Sequence, residues 1–216
     1  MKRFLYLIFS IPLLGICQCN HTSGQQDMIS SLKVEYDSSR SFFNPTLVSH
    51  IPEGYSESTI TFTEALNPFM GNLEFIVVDS LSDELNDQVD SLTENAIASF
   101  IASDTCLNVV NQFLSLEKYT FTNKEIEELD ARIYGCWNDL PPVPNFWHTD
   151  YTTEDTRCKL PNDFVLYVIE AKPGMFVDES LVTNAWFMPK EWEHGFSRGI
   201  AISENRGVII YWLVIW

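Results

Sequence analysis

Basic residues are scarce in this chain of 216 residues. It has 13 Lys and Arg side chains against 30 Asp and Glu, so its formal net charge is −17 at pH 7. A negative field of this size repels nucleic-acid phosphates and provides no attraction to an anionic lipid surface. We therefore expect no nucleic-acid partner, whereas a basic partner or divalent cations would be favoured.

The common catalytic motifs are also missing. The sequence has no Gly-rich phosphate loop, no His-Glu-x-x-His pair, no Gly-x-Ser-x-Gly elbow and, outside the N-terminal region, no Cys-x-x-Cys pair. The enzyme classes that those motifs define are therefore excluded, the cofactor stays unknown and no metal site is predicted. Whether the protein is an enzyme stays open.

No apolar run is long enough to span a bilayer, which needs about 20 residues. The run of residues 4–16 is shorter and follows Lys2 and Arg3, which is the pattern of a secretory signal peptide. Export is therefore expected. The protein would meet a membrane only through an N-terminal lipid anchor.

The cysteines behind this run indicate how the signal is processed. Cys17 follows Leu14, Gly15 and Ile16, which matches a lipoprotein signal except that Ile16 stands where a small residue is usual. We expect residues 1–19 to be a signal peptide of lipoprotein type, lipidated at Cys17 or Cys19. Ordinary cleavage, which would release a free secreted protein, is the alternative.

The rest of the chain is predicted to be one domain behind a tether. Residues 20–31 are polar, as in the tether that follows a lipid anchor. Residues 32–216 have a length and apolar content that suit a single domain with a sizeable core.

Three cysteines lie in this domain. Cys136 and Cys158 stand at either end of a Pro-rich segment, and we predict a disulfide between them because export exposes the chain to oxidation. Cys106 lies on the apolar side of a helical pattern and is predicted to be a buried thiol. The alternative is that all three are free and buried.

Apolar periodicity predicts both strands and helices. Alternation at Leu32, Val34 and Tyr36 predicts a short strand. Further strands are predicted at residues 59–63, 73–78, 116–121 and 164–169. Apolar residues at steps of three and four predict helices at residues 85–101, 104–114 and 122–135.

The C-terminal end predicts a β-hairpin. Residues 196–203 and 208–216 flank the turn sequence of residues 204–207. The last strand is apolar on both faces, which is typical of a central strand that is covered on both sides. We therefore predict an α+β fold, in which an antiparallel sheet with this C-terminal hairpin packs against two or three helices.

Aromatic residues of the C-terminal region form the first candidate binding site. All 6 Trp residues lie between Tyr134 and Trp216. Loop aromatics near Asp, Asn and Glu side chains suit a glycan or peptide groove, although they would equally cap an open sheet. The candidate ligand-binding aromatics are Trp137, Trp147, Tyr151, Trp186 and Trp192.

Arg198 and two histidines complete the candidates. Arg198 lies between Gly195 and Gly199 and would bind a carboxylate or phosphate, unless an internal Asp or Glu takes that place. His148, which follows the stiff proline segment, has Asp150 close by to orient it, and His194 is a further candidate. Ordinary surface histidines are the alternative.

Two hypotheses follow from these patterns. The first is an exported, lipid-anchored protein of the cell envelope that binds a protein or glycan ligand through the loops around residues 137–150 and 186–198. The second is a small extracytoplasmic hydrolase or metal-dependent enzyme that uses His148 and Asp150. Convergence of His148 and His194 with carboxylates in one pocket would favour the second.

Overall fold

The computed structural model describes residues 21–55, 61–65, 71–82, 85–112, 122, 124, 136, 139–147, 149–182 and 188–216. Two helices lie in these ranges, α1 (His21–Phe42) and α2 (Asn86–Glu94). The strands are β1 (Thr61–Ala65), β2 (Leu73–Ser80), β3 (Ala98–Ile101), β4 (Val165–Pro173), β5 (Gly195–Ser203) and β6 (Val208–Ile215). The predicted α+β class is confirmed.

These strands form one antiparallel sheet in the order β1-β2-β6-β5-β4-β3. β5 and β6 make the predicted C-terminal hairpin. The short 3-10 turn Glu204–Arg206 joins them, and Gly207 follows it with a φ of 62°. This left-handed backbone suits glycine, which has no Cβ to clash there.

β6 is the centre of the sheet, as its two apolar faces predict. Trp212 and Val214 belong to the core on one face, whereas Tyr211 and Leu213 belong to the core on the other. Every residue of the strand is buried. Two separate hydrophobic cores therefore meet at this one strand.

Helices cover one face of the sheet, which we call the helix face. Tyr36 and Phe43 of the α1 region contact the ring of Phe75 on β2, with centroid distances of 5.5 and 5.9 Å. Val89 of α2 packs into the same core. The predicted packing of helices against the sheet is confirmed.

Loops cover the other face in the described part of the chain, and we call it the loop face. Leu107 and Val110 pack there beside Val143, Phe146 and Phe164. Val109 and Val143 form an isolated parallel bridge, and the Val110 amide donates to the Val143 carbonyl at 2.9 Å. The proline segment is therefore paired at one point along its length.

Three secondary-structure predictions were wrong. Residues 32–36 are helical, because the buried positions Tyr36, Ser39 and Phe43 follow helical spacing. Residues 104–112 form turns and a bridge, since Leu107 through Val110 are all buried and leave no polar helical face. The helix from residue 85 ends at Glu94, and β3 takes the last residues of the predicted apolar stripe.

The predicted disulfide has one wrong partner. Cys136 is bonded to Cys106, whereas Cys158 is a free, buried thiol that donates to the Ala102 carbonyl. The position of Cys158 in the loop-face core explains the error, because its sulfur points inward to the sheet.

The N-terminal predictions concern residues that the structure describes only in part. Residues 1–20, including Cys17 and Cys19, lie outside the described ranges. Residues 21–31 belong to α1, so this part of the predicted tether is helical, and the domain boundaries stay a prediction. Within the described residues, no helix is both long and apolar enough to cross a membrane.

Candidate functional site

Several predicted site residues lie outside the described ranges. They are Trp137, His148 and Trp186. The predicted strand at residues 116–121 lies there too, and of the helix at residues 122–135 only residues 122 and 124 are described. The convergence of His148 with His194 therefore stays a prediction.

The described aromatic candidates are anchored in the loop-face core. Tyr151 lies 5.7 Å from the ring of Phe164, and Trp192 lies 6.1 Å from the ring of Trp216. The Trp192 carbonyl also accepts a hydrogen bond from the indole of Trp216 at 2.8 Å. Like these two, Trp147 is half-buried. Much of the aromatic surface of Tyr151 and Trp192 is thus used for packing.

Asp150 and His194 occupy different local settings. Asp150 is exposed in the loop that leads to Tyr151. His194 precedes β5, and its carbonyl accepts a hydrogen bond from the Gly174 amide at 2.9 Å. Its Nδ1 atom is buried and has no hydrogen-bond partner in the described part of the protein.

Arg198 is held by internal contacts. Its Nε and Nη2 atoms each lie 2.9 Å from Oε2 of Glu170 on the neighbouring strand β4. Its Nη1 atom donates to the Thr46 carbonyl at 2.7 Å and to the Ser49 hydroxyl at 2.9 Å. The internal ion pair that the sequence offered as an alternative is confirmed, and it fastens the loop after α1 to the sheet.

A cleft of about 420 Å³ opens on the helix face, between α2 and the end of the sheet near the β5–β6 turn. We call it the α2 cleft. Val165, Tyr167 and Ile202 of β4 and β5 line it from the sheet, and Val89 and Thr93 line it from α2. Its size lies in the range of ligand sites, and its lining mixes polar and apolar side chains.

Carboxylates give the α2 cleft its charge. Asp90, Asp163 and Glu204 line it. Arg206 lies against Asp163, with Nε 2.8 Å from Oδ2, and this contact lowers the pKa of the Asp163 carboxyl. Asp90 and Glu204 have no ion-pair partner among the described residues. The cleft is therefore negatively charged.

β3, the edge strand of the sheet within the described residues, lies beside this cleft. Its register pairs Ser99 with Tyr167 and Ile101 with Val165, so these side chains share the helix face. Ile97 and Ile101 are 60% and 56% exposed. Ile101, opposite Val165, thus extends the apolar lining of the cleft to the edge of the described sheet.

A buried polar network lies at the opposite end of the sheet. Glu74 of β2 is 4% exposed and accepts a hydrogen bond from Asn72, whose Oδ1 atom accepts one from Asn111 at 2.7 Å. Burial raises the pKa of the Glu74 carboxyl to about 8. Glu74 therefore carries a proton at neutral pH, but its enclosure argues for a structural role.

A second buried titratable group lies under the loop after α1. The Nε2 atom of His50 donates to the Trp212 carbonyl at 2.8 Å, which leaves Nδ1 as the lone-pair nitrogen. Within the described residues Nδ1 has no partner. Burial lowers the pKa of His50 to about 4, so the ring is neutral near pH 7.

Sequence reasoning missed the α2 cleft and both buried groups. Asp90, Asp163 and Glu204 are far apart along the chain, so no local pattern joins them. Glu74 could have been identified from the sequence, because it interrupts the apolar run of residues 73–78. A carboxyl in a fully buried strand must be protonated or paired.

No group of three His, Cys, Asp or Glu side chains in the described ranges could hold a metal ion. No known protein family, curated protein or solved structure matches this chain significantly.

Proposed function

We propose that this chain is an exported, lipid-anchored protein of the cell envelope that binds a protein or glycan ligand in the α2 cleft. The observation that carries the proposal is the cleft, whose volume of about 420 Å³ lies in the range of ligand sites. Its lining combines apolar side chains with Tyr167 and carboxylates, which supplies both a packing surface and polar contacts.

The N-terminal sequence supports export and anchoring. Lys2, Arg3 and the apolar residues 4–16 have the composition of a signal peptide, and Cys17 and Cys19 follow at once. Mass spectrometry of the membrane fraction should find an acylated N-terminal cysteine at one of these two positions. A free N-terminus in the culture supernatant would leave export intact and refute the anchor.

Blocking the α2 cleft tests the binding function. Thr93 lines the cleft, whereas its neighbour Glu94 is an exposed α2 residue outside the cleft lining. The unmodified protein should bind members of a random octapeptide library or chitohexaose. Thr93→Phe should abolish this binding, and the matched control Glu94→Phe should keep it.

Two outcomes would redirect the proposal. Binding that survives Thr93→Phe but is lost in Trp147→Ala would place the ligand on the aromatic loops instead. No binding to either probe would refute the binding function. The enzyme hypothesis depends on His148, which lies outside the described ranges, so it stays a prediction.

A further inference from the structure

We infer that the ligand of the α2 cleft is a basic, extended peptide segment of a partner protein, which adds as a strand to the outer edge of β3. The inference rests on the proposed function, because it names the ligand class for the same cleft. Three independent features lead to it: the backbone of the edge, the side chains on the edge and the charge of the cleft.

No described strand pairs with the outer edge of β3, so its backbone offers hydrogen bonds there. The Ala102 amide donates to the Phe164 carbonyl at 2.9 Å, and the register continues with Phe100 opposite Leu166. Because antiparallel strands alternate their hydrogen-bonding direction, the amide and carbonyl of Ser99 point away from β4. The Ile101 amide points outward as well, whereas its carbonyl accepts from the Asp104 amide.

The side chains of residues 97–101 do not protect the β3 edge against the addition of another strand. Edge strands are usually protected by charged residues or proline. Residues 97–101 contain neither, and Ile97 and Ile101 are more than half exposed. A peptide that pairs with β3 would cover Ile101 and extend the apolar lining of the cleft.

The geometry of the register links the added strand to the α2 cleft. Neighbouring strands lie about 4.8 Å apart, so a strand outside β3 would run roughly 10 Å from β4. Ser99 is small and stands opposite Tyr167 in the cleft. A long side chain of the peptide can therefore cross the edge over Ser99 and enter the cleft.

The charge of the cleft selects the type of long side chain. Asp90 and Glu204 have no ion-pair partner among the described residues, and the whole chain carries a net charge of −17. Lys and Arg combine a long apolar stem with a cationic end, which suits a cleft whose lining contains both apolar side chains and carboxylates. A neutral glycan would use neither this charge nor the backbone edge.

A designed peptide tests the inference directly. The probe is acetyl-Thr-Lys-Thr-Val-Thr-Lys-Thr-Val-amide, titrated into the purified domain and followed by amide NMR. We expect saturable shifts at Ser99, Ile101 and Asn205, the last of which lines the cleft. The same peptide with glutamate in place of lysine should not bind. N-methylation of the alternate residues whose amides face β3 should abolish binding, whereas N-methylation of the other alternate residues should not.

Charge variants supply the matched comparison. Asp90→Asn with Glu204→Gln should weaken binding roughly three- to tenfold, as expected for two partly exposed ion pairs. Glu53→Gln with Glu179→Gln changes the net charge equally at exposed positions elsewhere and should leave affinity unchanged. Equal weakening by both pairs would overturn the cleft as the charged contact.

The remaining outcomes separate this inference from the proposed function. If chitohexaose binds and Thr93→Phe blocks it while the lysine peptide fails, the peptide inference is wrong and the binding function stands. Failure of the lysine peptide, chitohexaose and the octapeptide library together would refute both. Lysine-peptide shifts confined to residues outside β3 and the cleft would also refute the strand-addition geometry.

Discussion

The two faces of the sheet are covered in different ways. On the helix face, α1 and α2 satisfy their own backbone hydrogen bonds, so the cover needs only side-chain packing such as Tyr36 and Phe43 against Phe75. On the loop face, the described covering segments form no α-helix or strand of their own, so their backbone lacks such an internal ladder. Each buried amide and carbonyl there must find an individual partner.

Polar side chains supply those partners on the loop face. Asn108 donates to the Leu140 carbonyl at 3.0 Å, and Asn145 donates to the Asn111 carbonyl at 2.9 Å. The Ser197 hydroxyl, from β5 itself, donates to the Pro142 carbonyl at 2.6 Å. The loops on the loop face are therefore held in place by individual hydrogen bonds and a disulfide. The helices on the helix face are held mainly by the burial of apolar surface.

This difference also explains where the cleft lies. α2 has 9 residues and is too short to cover the edge formed by β3 and β4. The helix face is thus left open at that corner, and the α2 cleft results. The loop segments, which follow the sheet closely, bury Phe164, Leu166 and Val168 almost completely.

The largest effect should come from a charge in the shared central strand. Leu213 is fully buried in the helix-face core. Leu213→Asp places a carboxylate there without a partner and should cost several kcal/mol, enough to unfold a domain of ordinary stability. Thermal unfolding by circular dichroism measures it.

A conservative change at the same position provides the control. Leu213→Met keeps the volume and should cost less than about 1.5 kcal/mol. If Leu213→Asp melts at the same temperature as the parent, then β6 is not the buried centre of the sheet in solution.

The next effect concerns the loop face alone. Cys106 and Cys136 are 30 residues apart, and a crosslink across such a loop contributes about 3–4 kcal/mol in the chain-entropy description. Cys106→Ser should therefore lower stability and speed amide exchange in residues 104–112 and 139–147. Exchange in β2 and α1 should change less.

Peptide mapping should find the Cys106–Cys136 link. Cys158 should react with an alkylating reagent only after unfolding.

The same contrast shows what the sequence can predict. The hairpin and the two faces of β6 were predictable, because apolar alternation in residues 208–216 is local and strong. The strand prediction for residues 32–36 was wrong. The two-residue alternation of apolar residues there lies in a helix, and Tyr36 is the first buried residue among those of the helix whose side chains are described. The Cys106–Cys136 pairing and the α2 cleft depend on contacts between distant loops, which have no local pattern.

A pH effect of intermediate size should report on the buried network of the loop face. The pKa of Glu74 is about 8 in the folded protein and about 4.3 in an unfolded chain. Between these values the unfolded state releases a proton that the folded state keeps. The free energy of unfolding therefore falls as pH rises, by at most about 1.4 kcal/mol per pH unit.

The pH dependence that His50 contributes on the helix face has the opposite sign. Its pKa is about 4 when folded and about 6.5 when unfolded, so its contribution to stability is lost as pH falls through this window. Below pH 6.5 the two groups change the free energy of unfolding with pH in opposite directions. Between about pH 6.5 and 8, of these two groups, only Glu74 still contributes a pH dependence. Glu74→Gln should flatten urea-unfolding free energies in that upper window. If the free energy of unfolding of Glu74→Gln still falls with pH in that window, another titrating group causes the fall.

The smallest effect should come from the ion pair that fastens the loop after α1 to the helix face. Glu170→Gln removes the charge opposite Arg198, which keeps its hydrogen bonds to Thr46 and Ser49. The pair is partly exposed, so we expect a loss of about 1 kcal/mol or less, seen as a melting shift of roughly 2–4 °C. Lys172→Gln, at the exposed partner of the same carboxylate, should shift melting by less. A Glu170→Gln protein as stable as Lys172→Gln would show that the Glu170–Arg198 pair adds no more to stability than the exposed Lys172 contact.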